Sequence, residues 1–201
     1  MPEDGCLPMP SLCAEPSLLP EDLFDATMAE SERPWAESGG QWWVMHTKPR
    51  QEKALARQLH ALQVRYYLPL HGKRTKIRGK VVPVYEPLFP GYLFLLSDDQ
   101  QQLHMALGTR RVVNHLEVID QAQLWDELRQ IHRLIQAGMP IRPELALVPG
   151  SKVEIRKGPL AGLRGVLVRS VSGNRFIVQV NFIQQGASVL LEDYMLECTL
   201  E

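Results

Sequence analysis

From residue 41 onward the apolar residues fall into recognisable periods; before it they do not. The aromatic-rich centre of QWWVMHTKPR, Trp42 to His46, predicts a short strand. In PRQEKALARQLHALQV, Leu55, Leu59 and Leu62 recur at i, i+4 and i+7, which is one face of a helix. Pro49 stands where a first-turn proline is tolerated, since that N–H has no helical partner anyway. YYLPL is a second strand, and HGKRTKIRGK joins VVPVYEP through a hairpin turn at Arg78-Gly79. A further strand runs from Gly91 to about Ser97, and Asp98 to Arg111 is polar and partly helical. VVNHLEVI is a strand, and a second clear helix starts at Asp120. Its carboxylate can cap orphan amides, with Gln123 at the capping-box position. Leu124, Leu128, Ile131 and Ile135 share one face, and Gly138 with Pro140 ends the helix. Helices of this kind on an antiparallel sheet define an α+β domain, residues 41–138.

The texture then changes. AGMPIRPELALVPG carries three prolines, and residues 139–146 are expected to be a linker. Over 147–201 the segments SKVEIRKG, RGVLVRSV, NRFIVQV, SVLLED and MLECTL are separated by turn-forming residues. Five short strands in so little chain predict a small β-barrel, a closed form that leaves no open edge. Residues 1–40 hold six of the 15 prolines and no period, and are expected to be disordered.

One run stands out from these patterns. PLFPGYLFLL, Pro87 to Leu96, has no charge, no amide and a single hydroxyl. Period two places Leu93 and Leu95 on one face and Tyr92 and Phe94 on the other. The second face either lies under a helix or is an exposed patch presented by the Pro90-Gly91 corner; the expectation is aliphatics in and aromatics out.

Charge is unevenly spread. Residues 1–40 carry a net −8 and residues 41–201 a net +7, an acidic arm on a basic body. Lys73, Arg74, Lys76, Arg78 and Lys80 crowd the hairpin; Lys48, Arg50, Lys53 and Arg57 surround the first helix start; Arg110-Arg111 makes a third group. Such groups can bind phosphates by charge and counterion release, with Trp42, Trp43, Tyr66 and Tyr67 as stacking candidates. A solvated face and ordinary core aromatics explain the same residues equally well.

No catalytic signature accompanies this chemistry. HExxH, DxD and GxSxG are missing, and Cys6, Cys13 and Cys198 have neither metal-ligand nor disulfide-framework spacing. No enzyme activity, cofactor or metal is expected. A reducing cytoplasm fits the cysteines, and no segment has the about 18–20 consecutive apolar residues of a membrane helix.

The glycines of GSKVEIRKGPLAGLRGVLV, at 150, 158, 162 and 165, follow V-x-I-x-x-G-P-x-x-G-x-x-G, the pattern of the KOW motif. With EPLFPGYLFL ahead of it and WWVMHTKPRQE opening the domain, residues 41–201 resemble the NusG family of transcription elongation factors. Lys48, the RGK of Arg78 to Lys80, and EPLFP with YLF leading to Thr109-Arg110 resemble the specialised RfaH-like paralogues more than the general factor. The resemblance implies a bacterial, cytoplasmic, monomeric antitermination factor. Its first domain would dock on the RNA polymerase clamp helices through Phe89, Pro90, Tyr92 and Phe94. His104, opening His104-Met105-Ala106 where RfaH has His-Thr-Thr, stands at a second polymerase contact. Lys48, Arg50, Arg74, Lys76, Arg78, Lys80, Arg110 and Arg111 would face upstream or non-template DNA. The barrel would recruit ribosomal protein NusE or Rho through Leu160 and Ile183, aliphatic where the general factor has phenylalanine. The alternatives are a general NusG acting with Rho, and a ribosome- or RNA-binding KOW protein without polymerase contact.

Overall fold

In the computed structural model, residues 16–24, 39–77, 80–170, 173–191 and 198–200 are described. A five-stranded antiparallel sheet has the order β1-β3-β6-β2-β7, with β1 Leu18–Leu19, β2 Gln41–Thr47, β3 Tyr66–Tyr67, β6 Tyr92–Ser97 and β7 Val112–Glu117. Between β3 and β6, β4 (Leu70–Ile77) and β5 (Lys80–Pro87) make a separate two-stranded ribbon, from Leu70↔Pro87 to Ile77↔Lys80. The helices are α1 Glu52–Ala61, α2 Gln100–Gly108 and α3 Gln121–Gln136. Thus the antiparallel α+β architecture read from the periods is the one observed.

Alternation along β6 gives the sheet two buried faces. Leu93 and Leu95 join Met45, Tyr66, Leu55, Leu59 and Leu103 under α1 and α2. Phe94 and Leu96 join Trp42, Val44 and Tyr67 with Leu124, Trp125, Leu128 and Ile131 of α3. Asp120 caps α3 as expected, its carboxylate accepting from the Gln123 amide at 2.8 Å. The stripe of α3 is wider than the four predicted residues: Trp125, Glu127 and Leu134 are buried as well, and Ile135 is only half-buried. A second neighbour causes this, because α3 also packs on the C-terminal sheet.

That C-terminal region is a six-stranded antiparallel sheet of order β13-β9-β10-β11-β12-β8. Its strands are β8 Arg142–Glu144, β9 Ser151–Ile155, β10 Arg164–Ser170, β11 Gly173–Val180, β12 Gln185–Leu190 and β13 Cys198–Leu200. The β-rich texture is as read, with one strand more. β8 arises inside the expected linker, despite Pro143, because the proline sits on an edge strand where its missing N–H removes no ladder bond. Glu144 fixes it there, accepting from Ser188 Oγ at 2.6 Å and pairing with Arg175. Two motif glycines meet different demands. Gly162 takes φ +79°, whereas a Cβ on Gly165 would lie 2.4 Å from the Ile177 carbonyl oxygen.

The expectation of disorder through residue 40 is corrected for residues 16–24. Leu18 and Leu19 pair with Tyr67 and Tyr66 on the edge of the first sheet, and Leu23 and Phe24 are buried. Composition obscured this, since a two-residue strand has no measurable period. Most of the acidic arm, Cys6, Cys13 and the Arg78-Gly79 turn lie outside the described residues. No helix among the described residues is long and apolar enough to cross a membrane.

Candidate functional site

The Pro87–Leu96 run supplies the first surface. Pro90 is exposed, Gly91 holds φ +85°, and the Gly91 amide donates to Glu52 of α1 at 2.8 Å, which locks the corner against the helix start. Tyr92 is half-buried and stacks on His46 at 5.4 Å. Phe89 and Phe94 meet edge-to-face at 6.2 Å, and both are buried, at 1% and 0% exposure. The expectation that the aromatic face lies open is therefore corrected for these two rings. Period two assigned the faces properly; what it could not supply was the covering layer of α3 and the C-terminal sheet.

Leu160 and Ile183, expected as the barrel's partner contacts, are buried too, at 0% and 8% exposure. They belong to the same continuous apolar cluster as Phe89 and Phe94, which also takes in Val153, Ile155, Leu163 and Phe176 of the C-terminal sheet. Polar contacts flank this junction. On α3, Glu127, Gln130 and Arg133 follow one another at i, i+3 and i+6, so they line one side of the helix. The Asn181 amide donates to Glu127 Oε2 at 3.0 Å and Asn181 Nδ2 to Oε1 at 2.6 Å. The Arg164 amide donates to Gln130 Oε1 at 2.7 Å, and Arg133 Nη2 to the Ala161 carbonyl at 2.7 Å. Burial pushes the Glu127 carboxyl above its ordinary value, against the hydrogen bonds from Gln123 and Asn181, which favour the carboxylate. Sequence reasoning missed Glu127 because an acid in an amphipathic helix reads as a solvated position.

The basic groups are arranged in two places. Lys48 and Arg111 are brought together where β2 and β7 end, the Lys48 amide donating to the Arg111 carbonyl at 2.8 Å. Lys48, Arg50 and Arg110 are exposed, and the last two hold left-handed backbone at φ +60° and +58°. Arg111 differs from its neighbours. Its Nε donates to Gln58 at 2.8 Å and its Nη1 to Gln51, so its guanidinium ties α1 to the strand end rather than standing free. On the ribbon, Lys73, Arg74, Lys76 and Lys80 are exposed, and Lys73 pairs with Glu86 at 3.4 Å. Arg78 lies outside the described residues. Beneath them His71 is buried and its pKa is lowered chiefly by that burial. His104 and Met105 are exposed on α2, Met105 beside Leu62 in an open groove between α1 and α2. No group of acids, histidines and cysteines suited to a metal occurs among the described residues.

Comparison with known proteins finds one matching family model and similar solved structures. The family model described as "NusG: Transcription termination factor nusG" matches residues 40–136. Residues 40–136 are therefore a NusG-type domain, as the sequence resemblance implied. Among solved structures, the chain is similar to that described as "Domain interaction in Thermotoga maritima NusG", at 21% identity and TM-score 0.43, covering 75% of this chain and 93% of that one. It is also similar to a structure described as "MjSpt4:Spt5 complex conformation A", at 15% identity and TM-score 0.24, covering 80% and 97%.

Proposed function

We propose that the protein is an operon-specific antitermination factor of the RfaH-like kind, which binds the clamp helices of RNA polymerase and suppresses pausing and termination. The observation that carries this reading is the single apolar cluster joining Phe89 and Phe94 to Leu160 and Ile183. A soluble protein hides so large an aromatic face in its own fold unless a partner replaces the cover. In the closed arrangement both docking surfaces are occupied by each other. Opening frees Phe89, Pro90, Tyr92 and Phe94 for polymerase, and Leu160 with Ile183 for NusE or Rho. Binding polymerase and releasing the C-terminal sheet are then one equilibrium, in which each partner favours the open state by its differential affinity. His104 offers a second polymerase contact. Lys48, Arg50, Arg110 and the ribbon residues Arg74, Lys76, Arg78 and Lys80 face non-template or upstream DNA, with Arg111 positioning the first group.

The test is retention on core polymerase. Tyr92→Glu, at a half-buried edge position, is expected to lower retention at least tenfold, and unchanged retention would mean the clamp-docking assignment is wrong. Crosslinking to non-template DNA of varied sequence then separates specialised from general action: selective crosslinks support the former, uniform ones the general factor.

A further inference from the structure

Residues 16–24 supply none of the contact residues assigned above, yet they are built into the fold and share the apolar cluster under α3. Besides the two strand pairs, the Leu68 amide donates to the Ser17 carbonyl at 2.7 Å and the Tyr66 hydroxyl to the Pro16 carbonyl at 3.2 Å. Leu18 packs on the apolar cluster under α3 and Leu19 on the one under α1 and α2, so this edge strand touches both cores. A turn closed by the Leu23 amide on the Pro20 carbonyl, at 3.1 Å, then carries Leu23 and Phe24 inward. The Phe24 ring lies 6.3 Å from Trp42 and 4.8 Å from Tyr67 on the sheet. It lies 4.9 Å from Trp125 and 5.3 Å from His132 on α3.

Two features make this attachment exchangeable. The backbone is held by a two-residue strand on a sheet edge, which is marginal without its side-chain contacts. The seat also holds two polar groups away from water, one of them unsatisfied. The Tyr67 hydroxyl is buried with no hydrogen-bond partner among the described residues, and burial lowers the pKa of His132. Uncovering the seat returns both groups to water, which offsets part of the lost contact. The seat bears on the rest of the molecule through α3. Trp125 and His132 hold Phe24, while Glu127, Gln130 and Arg133 of the same helix hold the C-terminal sheet.

The geometry points to a peptide-binding seat, formed by the β3 edge and the aromatic cleft between sheet and α3, which the chain's own Leu18–Phe24 segment occupies in cis as a strap holding the closed arrangement. The segment it accepts is extended and apolar, turns at a proline and ends in an aromatic ring, here Leu-Leu-Pro-Glu-Asp-Leu-Phe. This goes beyond the polymerase assignment and is read without polymerase, so the two can fail separately.

Hydrogen exchange on full-length Phe24→Ala tests it. The amides of Asn181 and Arg164, which donate to α3, are expected to exchange at least tenfold faster, while those paired between β10 and β11 keep their protection. A synthetic peptide of residues 14–26 should bind this variant saturably and restore protection, and the same peptide with Phe24→Ala should not. Unchanged exchange at Asn181 and Arg164 overturns the proposal. So does a loss of protection across the whole first domain that the peptide fails to reverse, since the segment would then be inseparable core. Phe24→Leu, which keeps much of the apolar volume, is expected to exchange close to the unaltered protein.

Discussion

Glu127 shows how much one side chain can decide about the junction of the two sheets. Its carboxylate accepts three hydrogen bonds, one from Gln123 and two from Asn181. Glu127→Ala removes the acceptor and leaves the Asn181 amide and side chain facing a gap, a loss of about 1–3 kcal/mol in domain closure. The expected readout is faster exchange at the Asn181 amide together with greater retention on polymerase. His132 adds a pH dependence. It is in ring contact with Phe24 and Tyr67, and Tyr67 is the titratable neighbour among these, its phenol held neutral by burial. Because burial lowers the His132 pKa, its contribution to stability is present above the ordinary value near 6.5 and is lost as pH falls below it. Melting temperature should therefore drop as pH falls below about 6.5, and His132→Phe should flatten that part of the profile. Gly165 is a third decisive position. A methyl group there meets the Ile177 carbonyl and the Phe176 ring at 2.8 Å, so Gly165→Ala is expected to destabilise the C-terminal sheet by about 1–3 kcal/mol, measured by thermal unfolding.

At the scale of elements, the ribbon of β4 and β5 is the part whose function depends least on the closed core. Among the described residues its strands pair with each other alone, so the exposed Arg74, Lys76 and Lys80 sit together on a separate two-stranded ribbon. For DNA contacts of this kind the logarithm of affinity falls with the logarithm of salt by about 0.9 per phosphate on a duplex. Replacing Lys76 and Lys80 by glutamine should flatten that slope by one to two, checked by titration at several salt concentrations. The elements were largely legible from periodicity: β2, the ribbon, β6, α2, β7 and α3 stand where the pattern put them, whereas α1 is shorter than read, with Pro49 ahead of it and Leu62 its exposed C-cap. The cap of α3 was legible because Asp120 and Gln123 form a local motif. β1 and β8 were not, since strands of two and three residues are specified by the edge they join and not by their own sequence.

For the molecule as a whole, the candidate site was legible in identity and not in exposure. The apolar run and the basic groups could be named from composition, and alternation divided Leu93 and Leu95 from Tyr92 and Phe94 correctly. Periodicity reports that a face is apolar but not which partner covers it, so the burial of Phe94 and Leu160 in one cluster had no sequence signal. The broad buried stripe of α3 was the nearest hint, because a helix apolar around more than one face needs more than one neighbour.

The strand inside the expected linker has a consequence for reach. Since β8 belongs to the C-terminal sheet, the chain between the end of α3 at Gln136 and Arg142 comprises only residues 137–141. Fully extended, such a stretch spans about 17 Å. If the arrangement opens as proposed, that short leash limits the excursion of the C-terminal sheet. A partner carried on it would then be kept beside the first domain, at an effective concentration on the order of millimolar. A longer excursion requires β8 to peel from β12, giving up the pairing of residues 142–144 with 186–188 and the seat of Glu144 between Arg175 and Ser188. Strengthening or weakening that three-residue strand would therefore set how far the C-terminal sheet can stand from the first domain.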